Sequence, residues 1–331
     1  MLKAGLVGLG WWGSLMLETL ASSEAISIVA ATDVDPSRRH IAEKHRAAFA
    51  PDFESLLANP EVQAIILCTP HGLHADQILA TARAGKHVFC EKPLCLTRAD
   101  AERAIAACKT AGVALGVGHE RRFEPPIRDL MRRIKDGELG RIVQIEGNFN
   151  QDKFLALPPD NWRIRGTDSV GPLTATGIHV LDLSTAVLGR ASEVFAASRR
   201  LATNFENGDS LAIMIRFEND SVALISAVLT TPFDGRFAVY GSEGWAEVRD
   251  KSHPENSEGW IATYVVRGKP RETIDYPAAS AVRANLESFA HAAASEAAYP
   301  ITTEQMLQTV EAFEAITSSV ASGKTVTIGG A

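Results

Sequence analysis

Three short strings hold the residue types that chemistry needs. Gly8, Gly10 and Gly13 give a G-x-G-x-x-G spacing in GLGWWG, residues 8–13, around Trp11 and Trp12. Glu91, Lys92 and Pro93 break an apolar run in HVFCEKPLCL, residues 87–96. His179 stands in TATGIHVLDL, residues 174–183, with Asp182 following. Glycines at the first spacing allow a tight turn and close backbone approach. A helix that starts there offers its unpaired N–H groups to a pyrophosphate. Asp33 follows the motif by about 20 residues, where a carboxylate can bond both hydroxyls of an adenosine ribose. That charge repels a 2′-phosphate, so NAD is favoured, while Arg38 and Arg39 keep NADP open.

Burying Glu91 and Lys92 unpaired would be costly. Lys92 is therefore a solvated strand end or a working group in a cleft. In an open parallel sheet, ligands bind outside the C-terminal strand ends. Lys92 follows the fourth expected strand at that edge. Thr69 and Pro70 close the third strand there, with His71 and His74 beside them. A lysine so placed can donate to a substrate oxygen or relay a proton as hydride moves. His179 and Asp182 lie one helical turn apart and can share a face. A histidine there could be a packed residue or a general acid/base. His119, Glu120, Arg121 and Arg122 follow the fifth strand. They could line a substrate pocket or form salt bridges. Trp162, Arg163, Arg165 and Thr176 are further candidates to contact substrate. No His, Cys, Asp and Glu cluster has metal-ligand spacing, so no metal is expected.

These residues need a frame. Near-continuous apolar strands (KAGLVGLG, AISIVAATD, EVQAIILCTP, HVFC, VALGVG) alternate with helical segments through residue 119. That pattern predicts a doubly wound parallel sheet, an N-terminal Rossmann domain over 1–119. Thr97 with Asp100 resembles a capping box opening the helix before the fifth strand. From residue 120 to 331 the pattern becomes a helix, several alternating strands and two closing helices. It predicts an α+β domain on a mainly antiparallel sheet, with last helices able to pack back on the first domain. The class is α/β overall. Apolar residues on both faces of SLAIMIRF and VALISAVL predict a homo-oligomer, a dimer or tetramer, built through this sheet.

Composition narrows the classes. The chain has 331 residues, 46% hydrophobic and 22% charged, with a net charge of −7. That length predicts two domains, and the acidic balance argues against a nucleic-acid partner. No stretch approaches the roughly 18 apolar residues of a membrane span, and the N-terminus has no export pattern. The four cysteines, 68, 90, 95 and 108, form no CxxC pair. Reduced thiols in a cytoplasmic protein are the expectation. Cys90 and Cys95 flank the lysine motif without the local signature of a cysteine enzyme.

The motifs together resemble the glucose–fructose oxidoreductase, inositol dehydrogenase and MocA-like family. The resemblance runs along nearly the whole chain. It rests on GLGWWG, on Thr69-Pro70 with His74, and on Glu91-Lys92-Pro93. It continues with Trp162-Arg163, with Gly177-Ile178-His179 and Asp182, and with the closing SSVASGKTVTI. It implies an NAD(P)-dependent oxidoreductase acting on a carbohydrate-like small molecule: a sugar, polyol or cyclitol. It also implies a catalytic Lys92, a Lys92–Pro93 bond that is often cis, and His179 as general acid/base. Two departures stand out. Many members carry aspartate four residues before this histidine, where this chain has Ala175. Asparagine often follows Thr-Pro, where this chain has His71. Two other readings share the fold: an NAD-retaining glycosidase or lyase, and a non-catalytic NAD-binding sensor. Net NADH production separates the first of these from a dehydrogenase, and the intact Lys92 argues against the second.

Overall fold

The computed structural model describes residues 1–166 and 170–329. The chain divides into two compact units, 1–120 with 280–307 and 121–279 with 308–331. Residues 280–307, from the closing helices, return to the first unit.

In chain order the first unit opens with β1 (Leu2–Val7), α1 (Trp11–Leu20), β2 (Ile26–Thr32), α2 (Arg39–Lys44), β3 (Ala48–Phe49), α3 (Phe53–Ala58), β4 (Ala64–Leu67), α4 (His74–Arg83), β5 (His87–Cys90), α5 (Arg98–Ala111) and β6 (Leu115–Val117). The second unit holds α6 (Pro125–Lys135), β7 (Ile142–Asn150), α7 (Ile178–Leu188), β8 (Ala191–Arg199), β9 (Ser210–Phe217), β10 (Val222–Val228), β11 (Asp234–Gly241), β12 (Gly244–Asp250), β13 (Trp260–Val266) and β14 (Glu272–Tyr276). Last come α8 (Ala281–Ala293), α9 (Thr303–Ser322) and β15 (Val326–Thr327).

The first unit's six strands run in the order β3-β2-β1-β4-β5-β6, all paired in parallel. All four residues of β4 are buried, as a strand covered on both faces requires. The strand order reverses between β1 and β4, so the loops after these two strands flank the crevice where such sheets bind ligands. α5 starts at Thr97, whose hydroxyl accepts from the Asp100 N–H at 3.2 Å. The reciprocal half of the capping box is side chain to side chain, at 2.9 Å. α8 belongs here for a plain reason. Leu286 and Phe289 are fully buried in the core with Leu6, Met16 and Phe89. Asn285 also donates to the Val117 carbonyl at 2.9 Å.

The second unit carries nine strands in the order β14-β13-β12-β11-β7-β10-β9-β8-β15. Among the described residues only its β7–β10 pair is parallel. β9 alternates strictly, with Leu211, Ile213, Ile215 and Phe217 buried and Ala212, Met214 and Arg216 exposed. The buried face meets helices: Ser319 of α9 accepts from the Ala196 N–H of β8, and Thr309 bonds Thr185 of α7.

Candidate active site

The glycine turn follows β1 directly. Gly8 has φ +94°, a conformation that L side chains rarely adopt, and a Cβ there would stand 2.6 Å from the Cys68 carbonyl oxygen. At Gly13 a Cβ would stand 1.9 Å from the Gly8 carbonyl oxygen, so α1 can pack onto the turn only through glycine. Gly10 caps α1 without a side-chain cap bond. Asp33 sits just past β2. Its Oδ2 accepts from the Leu9 N–H at 2.6 Å and its Oδ1 from the Asp35 N–H at 2.9 Å. Arg38 donates to the Leu9 carbonyl at 2.9 Å, with its Nε 3.8 Å from Asp33. Trp11 is 46% exposed beside the turn, edge-on to the half-buried Trp12 at 6.4 Å. Helix-terminal amides without a side-chain cap, glycines admitting close approach and a ribose-height carboxylate fit a dinucleotide.

Two further loops leave the same sheet edge. After β4, the Thr69 hydroxyl donates to Gln77 at 2.6 Å. Pro70 and His71 follow, both half-buried. After β5 come buried Glu91, half-buried Lys92 and buried Pro93, with a cis Lys92–Pro93 bond. The Lys92 N–H donates to Glu91 Oε2 at 3.2 Å. Glu91's carboxyl packs on the Cα of Gly118. Burial, with the Glu120 charge adding to it, pushes this carboxyl up to about 8, against the pull of Trp12 and Lys92. Glu91 is therefore largely protonated at neutral pH. His74 is fully buried and reaches both loops: Nδ1 is 2.7 Å from the Pro93 oxygen and Nε2 3.0 Å from the Thr69 oxygen. His119, at the end of β6, is buried.

His179 opens α7 in the second unit, as its sequence context predicts, and is 5% exposed. Its ring lies 5.5 Å from that of Phe149, which also packs on Phe233 and His253. His253 is pushed down to about 3, mainly by burial, so it stays neutral. Its Nδ1 accepts from Lys153 at 3.0 Å, and its Nε2–H donates to Gln151 at 2.8 Å. Asp182 bonds Arg122 through both oxygens, each at 2.7 Å. Its Oδ1 also accepts from the Thr309 hydroxyl at 3.4 Å. Ala175 packs against an apolar cluster of Phe154, Ile164, Phe205 and Leu229. Thr176 is buried, with its hydroxyl donating to the Pro172 carbonyl at 3.3 Å. The Arg163 guanidinium lies over the half-buried Trp162 ring at 4.5 Å.

Arg121 forms buried salt bridges, one of the two roles its position allows. It is 2% exposed, with Glu124 at 2.9 Å and Asp250 at 2.6 Å on its guanidinium. Asp250 lies 129 residues away, a pairing that no local pattern announces. Phe149 beside His179, and His253 and Lys153 beyond it, were likewise invisible in the sequence, because the sheet and a distant loop bring them together. Among the described residues, no group of three or more His, Cys, Asp or Glu converges in a way that could hold a metal ion. No helix among them is long and apolar enough to cross a membrane.

A dinucleotide turn, a ribose-height carboxylate and a lysine on one parallel-sheet edge define a nicotinamide-dependent oxidoreductase. Residues 2–119 match the model of an oxidoreductase family with an NAD-binding Rossmann fold, and residues 127–247 match the GFO/IDH/MocA C-terminal domain. The chain belongs to this family. It is 31% identical to myo-inositol 2-dehydrogenase of Thermotoga maritima over 73% of this chain and 74% of that one. It is 30% identical to 1,5-anhydro-D-fructose reductase of Ensifer adhaerens over 70% and 74%. An Agrobacterium radiobacter oxidoreductase, solved with NAD+, L-tartaric acid and magnesium, shares the fold at a TM-score of 0.87. It is 19% identical, covering 99% of this chain and 98% of that one.

Proposed function

We propose that this chain oxidises a secondary hydroxyl, or reduces the matching carbonyl, on a sugar, polyol or cyclitol. The observation that carries this reading is Lys92. It leaves the parallel sheet at the same edge as the glycine turn, half-buried between a buried Glu91 and a buried Pro93. Relatives that act on an inositol and on an anhydro-sugar support the substrate class.

A bound dinucleotide supplies hydride acceptance or donation. Gly8, Gly10, Gly13 and the α1 N-terminus would hold its pyrophosphate, and Asp33, with Arg38 beside it, its adenosine ribose. Thr69, Pro70, His71, Glu91 and Pro93 border the nicotinamide end, and Trp11 and Trp12 the turn. The Lys92 ammonium donates to the reacting oxygen and stabilises the negative charge that grows there. His179 takes the hydroxyl proton at a ring nitrogen in oxidation and returns it in reduction. Glu91, neutral at pH 7, orients the Lys92 backbone without drawing its charge into an ion pair. His119, Trp162, Arg163 and Thr176 are assigned to substrate contact.

The test is a panel of inositols, sugars and anhydro-sugars with NAD and NADP, followed by absorbance of the reduced nicotinamide. Stoichiometric NADH production with one of them supports the reading. Substrate cleavage without net NADH would assign the chain to the cofactor-retaining glycosidases or lyases instead.

We also infer a homo-oligomer, built through the outer face of the second unit's sheet. Phe195, Met214 and Leu224 are 41%, 51% and 42% exposed there, around a hollow of about 450 Å³. Light scattering that shows a monomer at micromolar concentration would overturn this. Four free thiols, three of them buried, support a reducing, cytoplasmic location, which cell fractionation checks.

A further inference from the structure

His74 faces two acceptors with one donor. Its ring nitrogens stand 2.7 Å from the Pro93 carbonyl oxygen and 3.0 Å from that of Thr69, and neither carbonyl can donate. A neutral imidazole carries a single N–H. The ring is fully buried, and burial pushes its pKa down, so it stays neutral around pH 7. One carbonyl is therefore bonded and the other faces a lone pair. The shorter distance marks the donated bond, which places the proton on Nδ1.

Pro93 has no N–H, so its carbonyl is the main-chain handle by which this residue can be held. Just before the loop, the Glu91 N–H donates to the Leu67 carbonyl of β4 at 3.0 Å. Lys92 N–H reaches Glu91 Oε2, and the Cys90 thiol reaches the Glu91 and Leu94 carbonyls. His74 comes from the start of α4, 19 residues back in the chain. It anchors the lysine loop to the neighbouring strand-end loop.

We propose that His74 is a positioning residue: its Nδ1–H to Pro93 bond fixes the backbone from which Lys92 projects. This rests on Lys92 as the working lysine. The consequence is a selective tolerance. Asparagine carries its amide nitrogen as many bonds from Cβ as histidine carries Nδ1. Glutamine matches Nε2 in the same way. His74→Asn keeps a donor toward Pro93, and His74→Gln moves it toward Thr69.

The experiment uses full-length protein with lysines reductively ¹³C-methylated, the Lys92 resonance being assigned through Lys92→Arg. NADH fluorescence titration and thermal melting run alongside. We expect His74→Asn to keep the native Lys92 resonance and its titration midpoint, and His74→Gln to shift both at a similar melting temperature. With an active substrate, His74→Gln should lose about 100-fold in kcat, the scale of a 1 Å misplacement, with KM moved far less. An unchanged Lys92 resonance in His74→Gln, or equal shifts in the two variants, overturns the proposal. Because the resonance needs no turnover, it separates failure of His74's role from failure of the functional reading. Loss of turnover in Lys92→Met tests that reading independently.

Discussion

The carboxylate of Asp33 accepts the backbone N–H of Leu9 at 2.6 Å, which ties the end of the second strand to the middle of the glycine turn. In the proposed binding mode this fixes the charge beside the adenosine ribose. Arg38 stands 3.8 Å away and bonds the Leu9 carbonyl, so the negative charge is partly offset. Tighter binding of NADH than of NADPH is expected. Asp33→Ala should narrow that gap about tenfold, equal to about 1.4 kcal/mol. Arg38→Ala should widen it. Fluorescence titration with both nucleotides measures each, and equal affinities in the parent protein would contradict the role given to Asp33.

Lys92→Met keeps the apolar stem and removes the ammonium. NADH affinity should hold within a few-fold, because the glycine turn and Asp33 are untouched. Turnover should fall by about two to four powers of ten, the usual worth of a positioned proton-transfer group. A variant that binds NADH normally and turns over at the parent rate would leave Lys92 a solvated strand end.

Glu91 gives stability a pH dependence of definite sign. Burial holds its folded pKa at about 8, above the ordinary carboxyl value of 4.5, so the folded state keeps a proton that the unfolded chain gives up. Its contribution is full below about 4.5 and is lost as pH rises toward 8. Glu91→Gln carries the neutral form at every pH. Its melting temperature relative to the parent should therefore climb between pH 5 and pH 8. A constant offset across that range would mean that Glu91 is ionised in the folded protein.

Removing one partner of the Arg121–Glu124–Asp250 cluster strands charge in the interior. Asp250→Asn should cost about 3–5 kcal/mol of stability, read by denaturant unfolding of the second unit's signal. The NADH dissociation constant should stay put, since Asp250 lies outside the unit that carries the glycine turn. A stability loss under 1 kcal/mol would return Arg121 to the substrate-contact candidates.

What could be read in advance tracks the range of the interactions concerned. Gly8, Gly10, Gly13 and Asp33 were legible because a phosphate-binding turn is specified within a few residues and its acid lies at the next strand end. Five strands of the first sheet announced themselves as apolar runs. The two-residue β3 and the six-residue α3 are too short to show a period. β14 and β15 are edge strands at opposite ends of the large sheet, held by pairing to β13 and β8 rather than by their own pattern. Helices α8 and α9 were legible, α8 ending earlier than its pattern suggests, and the return to the first unit rests on Phe289 against Phe89 and Asn285 on the Val117 carbonyl. Both links exceed 160 residues in sequence separation, and no local signal encodes them. Arg121 shows the same limit: its residue type was visible, its partner was not.

That return of the chain has a consequence during synthesis. Tyr299 donates to the carbonyl of Val117 at 3.0 Å, bridging 182 residues. On the ribosome, the sixth strand of the Rossmann sheet emerges long before the tyrosine and helix that close over it. At about 5–20 residues per second, the interval is roughly 10–40 s. The nucleotide-binding unit is the first begun and among the last finished, and β7 to β14 of the second sheet are made while its flank stands open. A nascent chain stalled before residue 280 would carry every glycine of the dinucleotide turn, yet would lack Phe289 and Leu286 from the core beneath it. The core that backs the dinucleotide turn is thus completed only late in translation.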